Sequence, residues 1–150
     1  MAKHQRLKQR ARGIAVIEFF LVLPIFLLLL ALPLYFGRYC YHYSVAHAAA
    51  TNAAAYMSKI PLGEIINSVR APIVVGVARE IAMEMTDELN PGPARPLIVI
   101  DCVQNNCAGN SRPNFVRVSI EMTVEDIFFR DRTQLSLPIY VSITLPYRGR

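Results

Sequence analysis

Residues Phe19 to Gly37 carry no charge, and a carboxylate, Glu18, stands directly in front of them. About 20 apolar residues at ~1.5 Å rise cover a bilayer's hydrocarbon core of roughly 30 Å. Ile14 to Tyr35 is long enough, so the segment predicts a helix that crosses a membrane. A chain that only had to cross one would have no use for Glu18. An ionised side chain costs ~2.5–3.5 kcal/mol at the bilayer centre on insertion scales, and less near its edge. Glu18 lies near the edge, so its cost is moderate but real, and it calls for a partner.

The charge that precedes this span sets its direction. Lys3, Arg6, Lys8, Arg10 and Arg12 all fall before Gly13 and equal the whole net charge of +5; the rest of the chain is balanced in charge. The sequence pI of about 9.4 therefore belongs to residues 1–13 and not to a nucleic-acid-binding face. Basic residues beside a first apolar span stay in the cytoplasm. The expected topology is single-pass in a bacterial inner membrane, with the N-terminus inside and everything after about Arg38 in the periplasm. Tyr35, Tyr39, Tyr41 and Tyr43 would then lie close to the outer interface, where tyrosine anchors well.

The helical signal continues past the membrane. VAHAAATNAAAYM, residues 45–57, is rich in alanine, and no Gly or Pro lies between Arg38 and Lys59. One helix from Ile14 to about Met57 would be about 66 Å long. Pro24 and Pro33 interrupt it, which membrane helices tolerate better than soluble ones. Ala46, Ala49, Ala50, Ala53 and Ala54 form a smooth stripe. Such a stripe can receive another helix, or it can face the chain's own domain.

Beyond Pro61 and Gly63 the elements shorten. GEIINSVR reads as a short helix. Residues 72–90 read as a second helix, opened by Pro72 and stopped by Asn90-Pro91-Gly92. Ile73, Val77, Ile81, Met85 and Leu89 share one face of it and are expected to cover a sheet. Pro91 to Pro96 form a linker. From Leu97 the period becomes two. LIVIDCV, residues 97–103, and FVRVSIEMTVED, residues 115–126, are strands forming an antiparallel hairpin. Val116, Val118, Ile120, Met122 and Val124 should face inward, with Arg117, Ser119, Glu121 and Thr123 outward. Residues 134–145 are a third strand, in which Pro138 implies an edge, a bulge or a break. The expected fold is α+β: residues 1–13 a basic leader, 14–57 a transmembrane helix extending into the periplasm, and 58–150 a small head of helix plus antiparallel sheet.

Cys102 and Cys107 flank a polar, turn-prone stretch. In an oxidising compartment they can close a small loop; otherwise they are two free thiols. Cys40, just past the span, is expected to be a packed free thiol, with a cross-link to a partner as the alternative. No second Cys or His pair has zinc-ligand spacing, so no metal and no cofactor are expected. His4, His42 and His47 have no carboxylate beside them, and Asp87-Glu88 and Glu125-Asp126 look like element-end charges. No Gly-rich phosphate loop, G-x-S-x-G or HExxH occurs, so no enzymatic activity is expected.

A basic segment ending at Gly13, an apolar helix behind it and Glu18 at the fifth position after the glycine resemble the N-terminal region of bacterial type IV-like prepilins. RGIAVIEFFLVLPIFLLLL followed by FGRYCYHYSVAHAAATNAAAYM is similar to the TadE-like family, the minor pseudopilins of tight-adherence pilus systems, over residues 12 to about 57. Related major pilins usually carry tyrosine after the glutamate, where this chain has Phe19. The resemblance implies cleavage between Gly13 and Ile14 by a membrane prepilin peptidase. It implies that Glu18, with Phe19 beside it, serves assembly by pairing with the new amine of a neighbouring subunit. Its implied partners are the inner membrane, that peptidase, other pilus subunits and the assembly platform. The competing readings are a signal-anchored periplasmic protein unrelated to pili, with Gly13 uncut, and a membrane-tethered enzyme.

Overall fold

The computed structural model describes residues 2–87, 89, 95–102, 107, 109, 112–125 and 136–149, with side chains described from Ile17 onward. The expected Asn90-Pro91-Gly92 helix stop, and Val103, Asp126 and Gln134-Leu135 of the expected strands, lie outside the described residues. The chain divides into two compact units, Met1–Arg38 and Tyr39–Arg150.

The first unit is helical. It belongs to α1, which is assigned over Ala2–Lys59 and contains Pro24 and Pro33. From Ile17 to Phe36 almost every large apolar side chain is exposed; Phe20 is 68 % and Leu28 61 % accessible. A continuous apolar surface of this kind is not stable in water. Among the described residues this is one helix long and apolar enough to cross a membrane, with a mean hydropathy of 2.6 in its most apolar window.

The second unit contains the last turns of α1, then α2 (Leu62–Ile66), α3 (Ala71–Asp87), β1 (Leu97–Cys102), β2 (Phe115–Glu125) and β3 (Ser136–Pro146). The sheet is antiparallel in the order β1-β2-β3. β3 is therefore an edge, the position at which Pro138 costs no ladder bond. The register places Ile98, Ile120 and Val141 side by side, and Ile100, Val118 and Ile143 in the next inward row. Val116, Val118, Ile120, Met122 and Val124 are all buried. Each such side chain contributes about 1.5–3 kcal/mol on burial. The opposite face is polar on the central strand: Arg117 Nε donates to Thr144 Oγ1 at 3.2 Å, and the Ser119 and Ser142 hydroxyls are 3.1 Å apart.

The alanine stripe faces the chain's own domain. Ala46, Ala49, Ala50, Ala53, Ala54 and Met57 are fully buried, in one core cluster with the inner face of the sheet and with α3. Asn52 Nδ2 approaches Met85 Sδ at 3.3 Å, which ties the two helices together.

Two expectations are corrected here. The core face of α3 is Ala71, Val74, Ala78, Ala82 and Thr86, whereas Ile73 is 64 % and Val77 39 % exposed. Of the expected face only Leu89 is buried. α3 packs against β1 and α2 and shares a core cluster with the alanines of α1, and its small side chains are the ones turned to that core. Thr86 is accommodated by returning its hydroxyl to the Ala82 and Met83 carbonyls. Cys40 is exposed and not packed. It lies two residues, about 200° of helical turn, from His42, which is on the buried side.

The joints are local. Asn67 Oδ1 accepts from the Val69 and Arg70 amides at 2.9 and 3.4 Å, capping the start of α3. The Glu64–Arg70 ion pair at 2.8 Å is exposed and adds little. Cys102 and Cys107 are joined by a disulfide, their Cα atoms 5.1 Å apart. Gly109 has φ +91°, and a Cβ there would sit 2.8 Å from the Ser68 backbone. Glycine is required at that point on both counts.

Candidate functional site

The candidate site lies on the first unit, around Gly13, Ile14, Glu18 and Phe19. All four are within the helical run of α1. The side chain of Ile14 falls outside those described. Glu18 is exposed, and its neighbours Ile17 and Phe19 are 70 % and 61 % accessible.

Helix geometry restricts where a countercharge can come from. Residues three and four away share a face with Glu18. Those positions hold Ile14, Ala15, Leu21 and Val22, none of them cationic. The nearest basic residue before Glu18 is Arg12, and the nearest after it is Arg38. The adjacent turns of the helix therefore offer the carboxylate an apolar surface and no side-chain cation. A countercharge for Glu18 would have to come from beyond these turns.

Among the described residues no group of three or more His, Cys, Asp or Glu side chains is placed to hold a metal ion. His42 is buried and His47 exposed. His47 lies beside Tyr43, with ring centroids 6.4 Å apart. Tyr35 is buried, Tyr39 half-buried, and Tyr41 and Tyr43 exposed. Asp87 is exposed at the end of α3 and Glu125 half-buried at the end of β2. Their sequence neighbours Glu88 and Asp126 lie outside the described residues.

Residues 13–55 match the family model for TadE-like protein. TadE-like proteins are a structural family associated with tight-adherence pilus systems. No curated protein and no solved structure matches the chain. The TadE-like match begins at Gly13 and takes in Glu18, the apolar run and all five alanines of the buried stripe. It ends before α2, so the sheet and its helices stand on their own pattern.

Sequence reasoning missed the residues that close the second unit. Tyr147 is 8 % exposed, and its hydroxyl donates to the Ile60 carbonyl at 2.6 Å. Burial raises its phenol above the ordinary tyrosine range, against a smaller lowering by Arg112. Nothing in LPYRGR signals this, because the partner is 87 residues away.

Proposed function

We propose that the chain is a minor pseudopilin: a non-enzymatic structural subunit for assembly of a tight-adherence, type IV-like pilus, made as a precursor and cut after Gly13 by a prepilin peptidase. The observation that carries the reading is Glu18. It lies one turn beyond Ile14 on a helix whose adjacent turns hold no cation, inside the segment that matches the TadE-like model.

Cleavage would supply what the carboxylate lacks. It creates an ammonium at Ile14 and removes the five cations of residues 1–13. It also makes Ile14 the helix N-terminus, where the macrodipole favours negative charge. An ammonium and a carboxylate, both partly desolvated, offset each other's burial cost only when docked. Pairing Glu18 with the amine of a neighbouring subunit therefore makes membrane association specific.

In this reading the helix from Ile14 crosses the inner membrane with the leader in the cytoplasm. The unit from Tyr39 onward lies in the periplasm and meets other pilus subunits. N-terminal sequencing of protein extracted from membranes that contain an active prepilin peptidase tests it. The expected first residue is Ile14. A mature chain that begins at Met1 or Ala2 overturns the processing step and favours the signal-anchored alternative.

A further inference from the structure

α3 turns Ala78 and Ala82 to the core, and the face opposite them is exposed. Along that face the chain changes from basic to apolar to acidic. Arg70 and Val69 stand in the turn that leads into the helix, Ile73 and Val77 follow, and Glu80 comes next; all five are exposed. The turn is continuous with α3: the Ala71 amide donates to the Asn67 carbonyl at 2.8 Å, and the Val74 amide to the Arg70 carbonyl at 3.1 Å.

Gly76 lies between Ile73 and Val77 and is exposed as well. Inside a helix, glycine costs stability relative to alanine. The chain itself gives no reason for it. A Cβ at Gly76 would meet no atom within 4 Å, and the backbone there is not in the left-handed region. The missing side chain leaves a recess one turn from the protruding Ile73. This face therefore carries a knob and a hole, with a cation at one end and a carboxylate at the other. A surface whose own protrusion and recess match, and whose own ends are opposite in charge, is complementary to itself under a two-fold rotation.

We propose that this face of α3 is where two copies of the chain pair, antiparallel, about a two-fold axis level with Val75. Each Ile73 then sits over the other copy's Gly76, and each Arg70 lies opposite the other copy's Glu80. The absent Cβ lets the two helices approach closely. Arg70 already meets Glu64 at 2.8 Å, and a guanidinium has donors enough for a second carboxylate. A single helix face makes a small interface. Two copies anchored in one membrane meet at a raised effective concentration, which favours so small a contact. The pairing needs neither Glu18 nor cleavage after Gly13, so it stands apart from the reading of the first unit.

Cysteine cross-linking of the full chain in isolated membranes tests it. Arg70→Cys and Glu80→Cys, each combined with Cys40→Ser, are produced together under different affinity tags and then oxidised. Cys102 and Cys107 are already joined. The mixed 70–80 dimer should form about ten-fold more readily than the 70–70 and 80–80 dimers, because like positions lie about 15 Å apart along the axis in this register. Gly76→Gln fills the recess with a good helix former. Added to both chains, it should cut the mixed dimer several-fold and leave the melting temperature of the purified chain unchanged or raised. Equal yields of mixed and like-position dimers overturn the proposal, since random collision gives that result. Absence of the 70–80 dimer overturns it too. So does a cross-link to a chain of another mass, which would assign the face to a different subunit. A mixed dimer indifferent to Gly76→Gln removes the recess from the contact and refutes the packing. A lowered melting temperature with Gly76→Gln also refutes it, because the glycine would then serve the chain's own fold.

Discussion

Placing a carboxylate at Ile120 tests the register and the inward face of the sheet together. Ile120 is fully buried between Ile98 on β1 and Val141 on β3. Ile120→Asp removes a buried aliphatic side chain, a loss of about 2–5 kcal/mol in comparable truncations. The carboxyl must also be neutral to stay inside. Full burial lifts a carboxyl pKa by up to ~3–5 units, to about 7–9 from ~3.9. Holding it protonated at pH 7 then costs about 4 kcal/mol at ~1.36 kcal/mol per unit. The total, about 6–9 kcal/mol, lies in the lower half of the ~5–15 kcal/mol that holds a domain together, enough to unfold a small one. The sign with pH follows by linkage. The folded state binds the proton more tightly than the unfolded one, so the penalty is full at neutral pH and shrinks as pH falls toward ~4. Between pH 7 and pH 5 the variant should recover about 2.7 kcal/mol relative to wild type. Limited proteolysis of the micelle-embedded protein at both pH values measures this, with Glu121→Lys as control. Glu121 is exposed opposite Leu97 and Tyr140, so its reversal should be tolerated. Equal protease resistance of the two variants at pH 7 would refute the register argument.

Glu18→Val removes a charge from the membrane edge, so insertion should be unharmed while pilus production falls; normal piliation with correct insertion would sink the pairing role. Cys102 and Cys107 should be recovered linked when periplasm-exposed protein is peptide-mapped without reductant, and replacing both with serine should cost about 2 kcal/mol for so short a loop. Free alkylation of both in that protein would exclude the bond. Gly109→Ala should lower stability by about 1–3 kcal/mol, because it places a side chain at positive φ against the Ser68 backbone. An unchanged melting temperature would show that the loop shifts freely.

What was legible in the sequence is what local pattern dictates. The uncharged run from Phe19, the cations before Gly13 and the position of Glu18 are one-dimensional facts, because none of them needs a tertiary contact to be read. Alternation along Val116–Val124 identified the inward face of β2, since the pleat has period two whatever packs on it. Tertiary structure decided matters of partner choice. Alanines 46–54 could have met another chain or their own domain, and the propensity that makes the helix is the same in both cases. α3 turned its alanines inward and left Ile73 and Val77 outside, a choice that depends on what the helix packs against and not on its own periodicity. Tyr147 acquired its role only when the end of β3 met the end of α1. No local pattern carries that contact, because the unsatisfied carbonyls and their donors lie nearly ninety residues apart.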